Sequence, residues 1–348
     1  MNHSLKHLIP LVSTMRKATH RHYSEAGLTH VPVPQIVGIT GACENVDTLF
    51  NVASRVPVPL FFCQTGQLNL EQALQYYPGV YTIMVSGRDE EKEDARHVRQ
   101  FSLTEEEFDW SLVSDAKYDE ERMFEEMLRR IEVAVKSICQ TVVAAHPETL
   151  IREFKQDAGG LATSLNEPFH RISYDEAVEV LKKNGFPELK WGDDLEARHE
   201  TRIVELLNGG DFPVPVFIMR YPKDIKFFNM KVSTTDDRVV LSADLILPHS
   251  GEAVGSAVRE HDAAKLERRL LGSTMFRLHT ARGGTLDDFR WYLDIIGSGR
   301  TKPHAGYGIG NERVIQYLTG AKDIRDCSIF AQMTRETCDW RAKEKVAV

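Results

Sequence analysis

The stretch Gly306-Tyr307-Gly308-Ile309-Gly310-Asn311-Glu312-Arg313 decides the fold, because it predicts a strand that runs directly into a helix. Glycines at alternate positions leave one face of the strand without side chains, so a flat group such as a purine could lie against the backbone. Arg313 falls in the first helical turn, where a guanidinium and the exposed amide groups suit a polyphosphate. The same glycine spacing occurs where two backbones merely approach closely, and the pattern alone leaves both interpretations open.

Composition describes an ordinary soluble protein of 348 residues, with 42% hydrophobic and 27% charged side chains, enough for one large domain over residues 1–348. The formal net charge of −8 argues against a broad basic surface that binds nucleic acid through its phosphates. The five cysteines lack the paired spacing of a zinc or redox site, as in a reducing compartment. Without a membrane-length apolar run or a signal-peptide core, the sequence predicts a cytoplasmic protein with no membrane association.

Periodicity and turn residues predict an α+β protein. An amphipathic helix is predicted over residues 4–27, a longer one over 118–146 and a third over 174–184. In the longer helix, one apolar stripe is predicted to be core: Met123, Met127, Ile131 and Val135. Residues 31–36 are extended, because Pro32 and Pro34 exclude a helix. The predicted strands, of which the last three are expected to form an antiparallel sheet, are 56–63, 80–85, 214–219, 227–232 and 239–247.

Two polar segments are candidates for ligand contacts. The charged loop at residues 88–101 has the basic side chains of a phosphate-binding loop, although such loops are usually only solvated. In the turn after the first predicted strand, Gln64, Gln67 and Glu71 could bind a small polar ligand or simply cap the turn.

Acidic side chains point to a cation site. Asp244 lies inside an otherwise apolar strand and Glu252 follows shortly after it, an arrangement that is costly unless the carboxylate is paired or bound to metal. Both a Mg²⁺ site beside a nucleotide and a salt bridge to Arg259 satisfy this requirement. The pair His199-Glu200 could bind metal, but it lacks the second histidine of a metalloprotease motif.

Taken together and in order, these segments resemble the class II aminoacyl-tRNA synthetases of the aspartyl/asparaginyl group, over about residues 20–335. Residues 34–44 resemble motif 1 of that family, 87–101 resemble motif 2, and 306–313 resemble motif 3. Five shorter segments resemble its asparaginyl branch: residues 65–71, 191–195, 221–226, 251–255 and 303–306. The resemblance implies an antiparallel sheet flanked by helices, a homodimer, and an AMP-forming ligase that uses ATP and Mg²⁺.

The resemblance also implies roles for individual residues. Arg88 would bind the α-phosphate, Glu90 the adenine amino edge, and Arg313 the γ-phosphate, while Phe101 would stack on the adenine. Asp244 and Glu252 match the family's metal-binding acids, and Arg259 matches the arginine that recognises the side-chain oxygen of the amino acid. The remaining implied contacts are Arg96, His97 and Gly310 for the nucleotide, and Gln67, Glu105 and Gly306 for the amino acid.

Departures from the family pattern bear on the substrate. Gly87, Gln100 and Ala257 replace a phenylalanine, an acid and a serine, and Leu70 stands where aspartyl enzymes carry the lysine for the β-carboxylate. Only some thirty residues precede the motif 1 segment, where the family carries its anticodon-binding barrel.

This difference predicts an asparagine-synthetase-like enzyme that adenylates aspartate or a similar amino acid and then forms an amide with ammonia or a small amine. On this interpretation tRNA is not expected as a partner. The alternative is an asparaginyl- or aspartyl-tRNA synthetase paralogue that transfers the acyl group to tRNA, a carrier or another small molecule. A purely regulatory binding protein is disfavoured, because Arg88, Glu252 and Arg313 together keep both ends of a triphosphate site.

Overall fold

A computed structural model describes residues 5–39, 48–55, 58–89 and 95–329 of the chain. Its centre is an eight-stranded sheet in the order β1-β4-β5-β10-β9-β8-β7-β6. Neighbouring strands are antiparallel except at the two edges, where β1 pairs with β4 and β6 pairs with β7 in parallel. A separate antiparallel ribbon is formed by β2 and β3. The strands are β1 (Thr29–His30), β2 (Ile36–Val37), β3 (Phe61–Phe62), β4 (Gly79–Gly87), β5 (Gln100–Asp109), β6 (His170–Ser173), β7 (Val216–Met219), β8 (Ser242–Leu247), β9 (Gly251–Val258) and β10 (His304–Gly310).

Helices flank the sheet, and their ends follow local capping rules. The Asp119 side chain caps α3 by accepting from Arg122 N, and Pro147 follows the C-cap residue His146. A reciprocal capping box of Ser173 and Glu176 starts α6. The helices are α1 (Leu5–Glu25), α2 (Gln67–Ala73), α3 (Glu120–Ala145), α4 (Pro147–Arg152), α5 (Ala158–Asn166), α6 (Tyr174–Lys183), α7 (Ala197–Leu207), α8 (Ala263–Gly272), α9 (Thr274–Ala281), α10 (Asp287–Gly297) and α11 (Asn311–Thr319).

The main hydrophobic core lies where α1, α3 and α11 pack on the sheet. The predicted stripe of α3 is confirmed as core, because Met123, Met127, Ile131 and Val135 are all buried. A second cluster lies between α6, α7 and the β7 end of the sheet, and a third joins α8 and α10 to Leu68 of α2. No helix in the described part of the chain is both long and apolar enough to cross a membrane.

Several predicted boundaries are wrong. Residues 227–232 do not form a strand but a looped segment with isolated bridges, in which Met230 N bonds to Phe227 O. The strand predicted over 56–63 shrinks to Phe61–Phe62 among the described residues. Residues 31–36 join no ladder before Ile36, but Val31 N bonds to Tyr81 O and Gln35 O accepts from Cys63 N. The three helices between β9 and β10 were not predicted.

Candidate active site

The glycine strand β10 lies in the middle of the sheet, between β5 and β9. Gly306 is paired with Glu107 on one side and Ala257 on the other, and Gly308 with Glu105 and Gly255. A Cβ atom on Gly306 would lie only 2.1 Å from the Glu107 carboxyl group, whereas one on Gly308 would lie 3.5 Å from Glu105 Cγ. The space at Gly306 is therefore taken by a carboxylate, and room for a flat ligand group is left only farther along the strand.

Across Gly306, the Arg259 side chain meets Glu107. Arg259 Nη2 lies 2.6 Å from Glu107 Oε1, and both side chains are almost completely buried. Burial raises the pKa of Glu107 to about 7, although the positive charge of Arg259 opposes the rise. The salt bridge that the sequence allowed between Arg259 and the Asp244–Glu252 pair is therefore wrong, because Arg259 has a different acidic partner.

Glu71, in α2, is the centre of a second buried polar cluster. Its carboxylate accepts hydrogen bonds from Gln67 Nε2 at 2.6 Å, Tyr292 OH at 2.7 Å and His304 Nε2 at 3.0 Å. The other ring nitrogen of His304 faces the Lys302 carbonyl at 2.9 Å, so the ring lies between two acceptors, an arrangement that favours its protonated form. Burial alone would lower the pKa of His304, but Glu71 raises it above the ordinary value.

Glu71, Glu107 and His304 bring ligand atoms within 4.8 Å of one another, a spacing that could hold a metal ion. The chemistry of the neighbours does not fit a cation. Arg259 already neutralises Glu107, and three donors already surround Glu71. The cluster is therefore two ion pairs, Arg259 with Glu107 and His304 with Glu71.

Glu105 anchors the turn that starts α2. Its carboxylate accepts from the backbone amide of Gly66 at 2.8 Å and from the Thr65 hydroxyl. Gln67, which was predicted near the amino acid, is the first residue of α2 and donates to Glu71. Gln64 is not part of this group, because its amide donates to the Thr48 carbonyl at 2.9 Å.

The predicted metal acids, Asp244 and Glu252, lie close to each other on β8 and β9. Both have a carboxylate oxygen within 4.0 Å of where a Cβ on Gly255 would stand. The buried Asp244 carboxylate is bound to Lys226 Nζ at 2.6 Å. The pKa of Glu252 is raised to about 8, first by desolvation within the surrounding protein and then by the negative charge of Asp244. Its side chain still keeps contact with solvent. Oxygen donors without bulky side chains between them fit Mg²⁺, which would share Asp244 with Lys226.

Basic and aromatic side chains lie at the ends of β4, β5 and β10. The Arg88 guanidinium is 5.6 Å from the centre of the Phe101 ring. Arg313 Nη1 donates to Ser250 O at 2.6 Å and Arg313 Nη2 to Arg96 O at 2.7 Å. His97 is exposed. Glu90, which was predicted to contact the adenine, lies outside the described residues.

The structure thus brings the predicted residues into two groups along one face of the sheet. One group contains Arg259, Glu105 and Gln67 next to Gly306, and the other contains Arg88, Arg96 and Arg313 near the acids of β8 and β9.

Sequence reasoning did not select Glu107 and His304 as site residues, whereas Glu71 and Glu200 were considered only for a small polar ligand and for a metal ion. The signal for Glu107 was the run of three consecutive glutamates directly before Phe108.

Comparison with known proteins agrees with this arrangement. Residues 1–334 match the family model of tRNA synthetases class II (D, K and N). The asparagine–tRNA ligase of Clostridium acetobutylicum is 35% identical over 280 residues, which are 78% of this chain and 54% of that protein. The corresponding ligase of Clostridium botulinum strain Hall is 31% identical over 339 residues, covering 90% of this chain and 67% of that protein. The chain thus spans between about half and two thirds of these relatives' length.

Solved structures give the same match. The asparaginyl-tRNA synthetase of Pyrococcus horikoshii complexed with asparaginyl-adenylate superimposes with a TM-score of 0.81 at 30% identity, over 94% of this chain and 68% of that chain. An asparaginyl-tRNA synthetase of Entamoeba histolytica shares the fold, with a TM-score of 0.74 at 23% identity over 94% and 66% of the two chains. The predicted fold, a mostly antiparallel sheet flanked by helices, is confirmed. These proteins are named for tRNA ligation and not for amide synthesis.

Proposed function

Because the chain belongs to the class II tRNA synthetases of the D, K and N group, we propose that it activates asparagine with ATP and transfers the asparaginyl group to tRNA. The main hypothesis from the sequence, an asparagine synthetase acting on aspartate and ammonia, is not supported by the relatives, which agree better with its alternative. The expectation that tRNA is not a partner has no support either.

One observation carries the choice of asparagine: the two buried cations next to Gly306 already have carboxylate partners. Arg259 is paired with Glu107, and His304 with Glu71. An aspartate side chain would bring a further negative charge to a place where each buried cation already faces a carboxyl group. An asparagine amide brings no charge and offers both a donor and an acceptor, so that its oxygen can face Arg259 while its NH₂ group faces a carboxylate. The buried Leu70 adds no cation to this site.

The argument from net charge against tRNA fails because charge is unevenly distributed. Residues 263–282, which include α8 and α9, contain five Lys or Arg residues and one acidic residue. A chain with a negative total can therefore still present a local basic surface to phosphates.

In the proposed activation step, a carboxylate oxygen of the amino acid attacks the α-phosphorus of ATP, the bond to the β-phosphate oxygen breaks, and pyrophosphate leaves. Arg88 would neutralise the α-phosphate, and Arg313 with Arg96 would bind the outgoing phosphates. Phe101 offers a ring face for the adenine, and Gly308 and Gly310 leave backbone exposed beside it. Asp244 and Glu252 would hold Mg²⁺, which offsets charge on the phosphates when bound.

The test is amino-acid-dependent exchange of labelled pyrophosphate into ATP, with asparagine and aspartate compared, followed by acylation of unfractionated tRNA. We expect exchange with asparagine, at least about a hundredfold weaker exchange with aspartate, and asparaginyl-tRNA as product. The Arg88→Ala variant should lose the exchange. Formation of free asparagine from aspartate, ATP and ammonia without tRNA would overturn the proposal, and so would preferential activation of aspartate.

A further inference from the structure

Glu200, in α7, places a buried carboxylate beside the basic side chains proposed to bind the triphosphate. Its Oε2 lies 3.2 Å from Arg96 Nη2, and its side chain is 9% exposed while that of Arg96 is 35% exposed. The helix packs against β9, which supplies Glu252. No part of the proposed adenylation chemistry assigns a role to this carboxylate.

The Arg96–Glu200 pair lies directly against the turn that starts β9. Gly251 has a positive φ of 81°, and a Cβ there would stand 2.5 Å from Arg96 Nη2 and 3.2 Å from Glu200 Oε2. The glycine thus gives the two charged groups room at the point where the chain enters the strand carrying Glu252.

The hydrogen bonds of Arg313 connect the segment before β5 to this turn. Arg313 donates to the backbone carbonyls of Arg96 and Ser250, at 2.7 and 2.6 Å. Glu200 binds the side chain of Arg96. Arg96 is therefore held at its backbone by Arg313 and at its side chain by Glu200.

This arrangement matters because two guanidinium groups repel each other before a phosphate arrives. Arg96 lies close enough to Arg313 for its charge to act on it, and Glu200 supplies an opposite charge to both. A guanidinium fixed in place by a carboxylate loses less conformational freedom when a ligand binds.

We propose that Glu200 is a positioning residue for the triphosphate: it holds the Arg96 side chain beside Arg313, so that both meet the β- and γ-phosphates of ATP without rearranging. The inference rests on the proposed function, since it assumes that ATP is the ligand. It predicts that Glu200 acts through Arg96 and only on the part of the nucleotide beyond the α-phosphate.

The experiment compares calorimetric affinities for Mg²⁺-ATP and for AMP in the wild-type chain and in the Glu200→Gln variant. Glutamine keeps the size of the side chain and removes its charge. We expect affinity for ATP to fall about tenfold, the effect of losing one charge-assisted hydrogen bond, and affinity for AMP to stay within about twofold. The matched control is Glu205→Gln, an exposed acid of the same helix that pairs with Arg202 at 2.9 Å and should change neither affinity.

A second comparison separates positioning from a structural role. When Glu200→Gln is added to the Arg96→Ala variant, the affinity for ATP should fall by less than about twofold relative to Arg96→Ala alone, because the effect of Glu200 passes through Arg96. Equal losses for ATP and AMP, additive losses in the double variant, or tighter ATP binding in Glu200→Gln would each overturn the inference. Suppose the wild-type chain binds ATP but no amino acid stimulates the exchange of pyrophosphate into ATP. The proposed function then fails, while the ATP and AMP affinities still decide the role of Glu200.

Discussion

Arg259 and Glu107 form a buried ion pair across a strand to which neither belongs. Glu107 lies in β5, Arg259 directly follows β9, and β10 runs between these two strands. The guanidinium and the carboxylate meet at 2.6 Å because the residue between them, Gly306, has no side chain. The glycine at 306 thus makes room for an ion pair, whereas the glycine spacing had left open both a bare surface for a nucleotide base and a close approach of two backbones.

Replacing Gly306 by alanine should therefore destabilise the fold. The added Cβ would fall 2.1 Å from the Glu107 carboxyl group, and the buried pair would have to separate or shift. We expect the free energy of unfolding, measured in urea, to fall by about 1–3 kcal/mol, as for an overpacked core. Gly308→Ala is the control, because its Cβ would lie at an ordinary 3.5 Å from Glu105 Cγ and should change stability by less than about 1 kcal/mol. Equal effects of the two changes would contradict the steric explanation.

The same ion pair predicts a pH dependence of stability. Burial raises the pKa of Glu107 from 4.5 to about 7, so between these values the folded chain keeps a proton that the unfolded chain has lost. The stability from this group is complete below pH 4.5 and falls as pH rises to 7, by about 3 kcal/mol in all.

Urea unfolding at pH 5, 6, 7 and 8 would measure this loss. The Glu107→Gln variant keeps every other titrating group, so the difference between its curve and that of the wild type isolates Glu107. Relative to the variant, the wild-type chain should lose stability from pH 5 to 7 and change little above that. Parallel curves would show that the pKa of Glu107 is not raised.

Local sequence rules predicted the elements that are specified by their own residues. The helices α1, α3 and α6 were predicted from periodicity, and in the structure Asp119 and Ser173 cap α3 and α6, while β10 with α11 follows from the glycine spacing. The strand predicted over 227–232 is absent because long-range contacts, and not a strand ladder, bury this segment. Lys231 N bonds to Val258 O, and the fully buried Asn229 supplies a carbonyl to Glu260 N.

The partners within the candidate site were not predictable in the same way. Asp244 was selected because a carboxylate inside an apolar strand needs a partner, and that rule held, but the partner is Lys226. The pairs Arg259–Glu107 and His304–Glu71 depend on strand register and on the placement of α2 against β10, which spacing along the chain does not specify. The roles assigned to these residues, and the division of the chain into domains, stay predictions.

Assembly as a homodimer also stays a prediction, and the structure indicates where to test it. In the ribbon of β2 and β3, Ile36 is 53% exposed, and the other edge of β2 pairs with no strand among the described residues. Light scattering at micromolar concentration should give twice the chain mass of 39.5 kDa. Ile36→Asp should shift the mass to that of one chain, whereas Leu271→Asp, at another exposed apolar position, should not. A single-chain mass for the wild type would sink the prediction.

Arg313 should not be replaceable by lysine, although the charge would be kept. Its two terminal nitrogens donate to carbonyls on different segments, Ser250 at 2.6 Å and Arg96 at 2.7 Å. A lysine ammonium has one nitrogen and cannot span both acceptors while also meeting a phosphate. We expect Arg313→Lys to lower asparagine-dependent pyrophosphate exchange by at least about a hundredfold, comparable to losing a charge-assisted contact in the transition state, with circular dichroism unchanged. Arg277→Lys, in which an exposed arginine contacts only the Thr274 hydroxyl on its own helix, controls for the exchange itself and should keep full activity. Near-normal exchange by Arg313→Lys would mean that a positive charge at this position is enough for activity. The two hydrogen bonds of the Arg313 guanidinium to the two segments would then not be needed to position the phosphates.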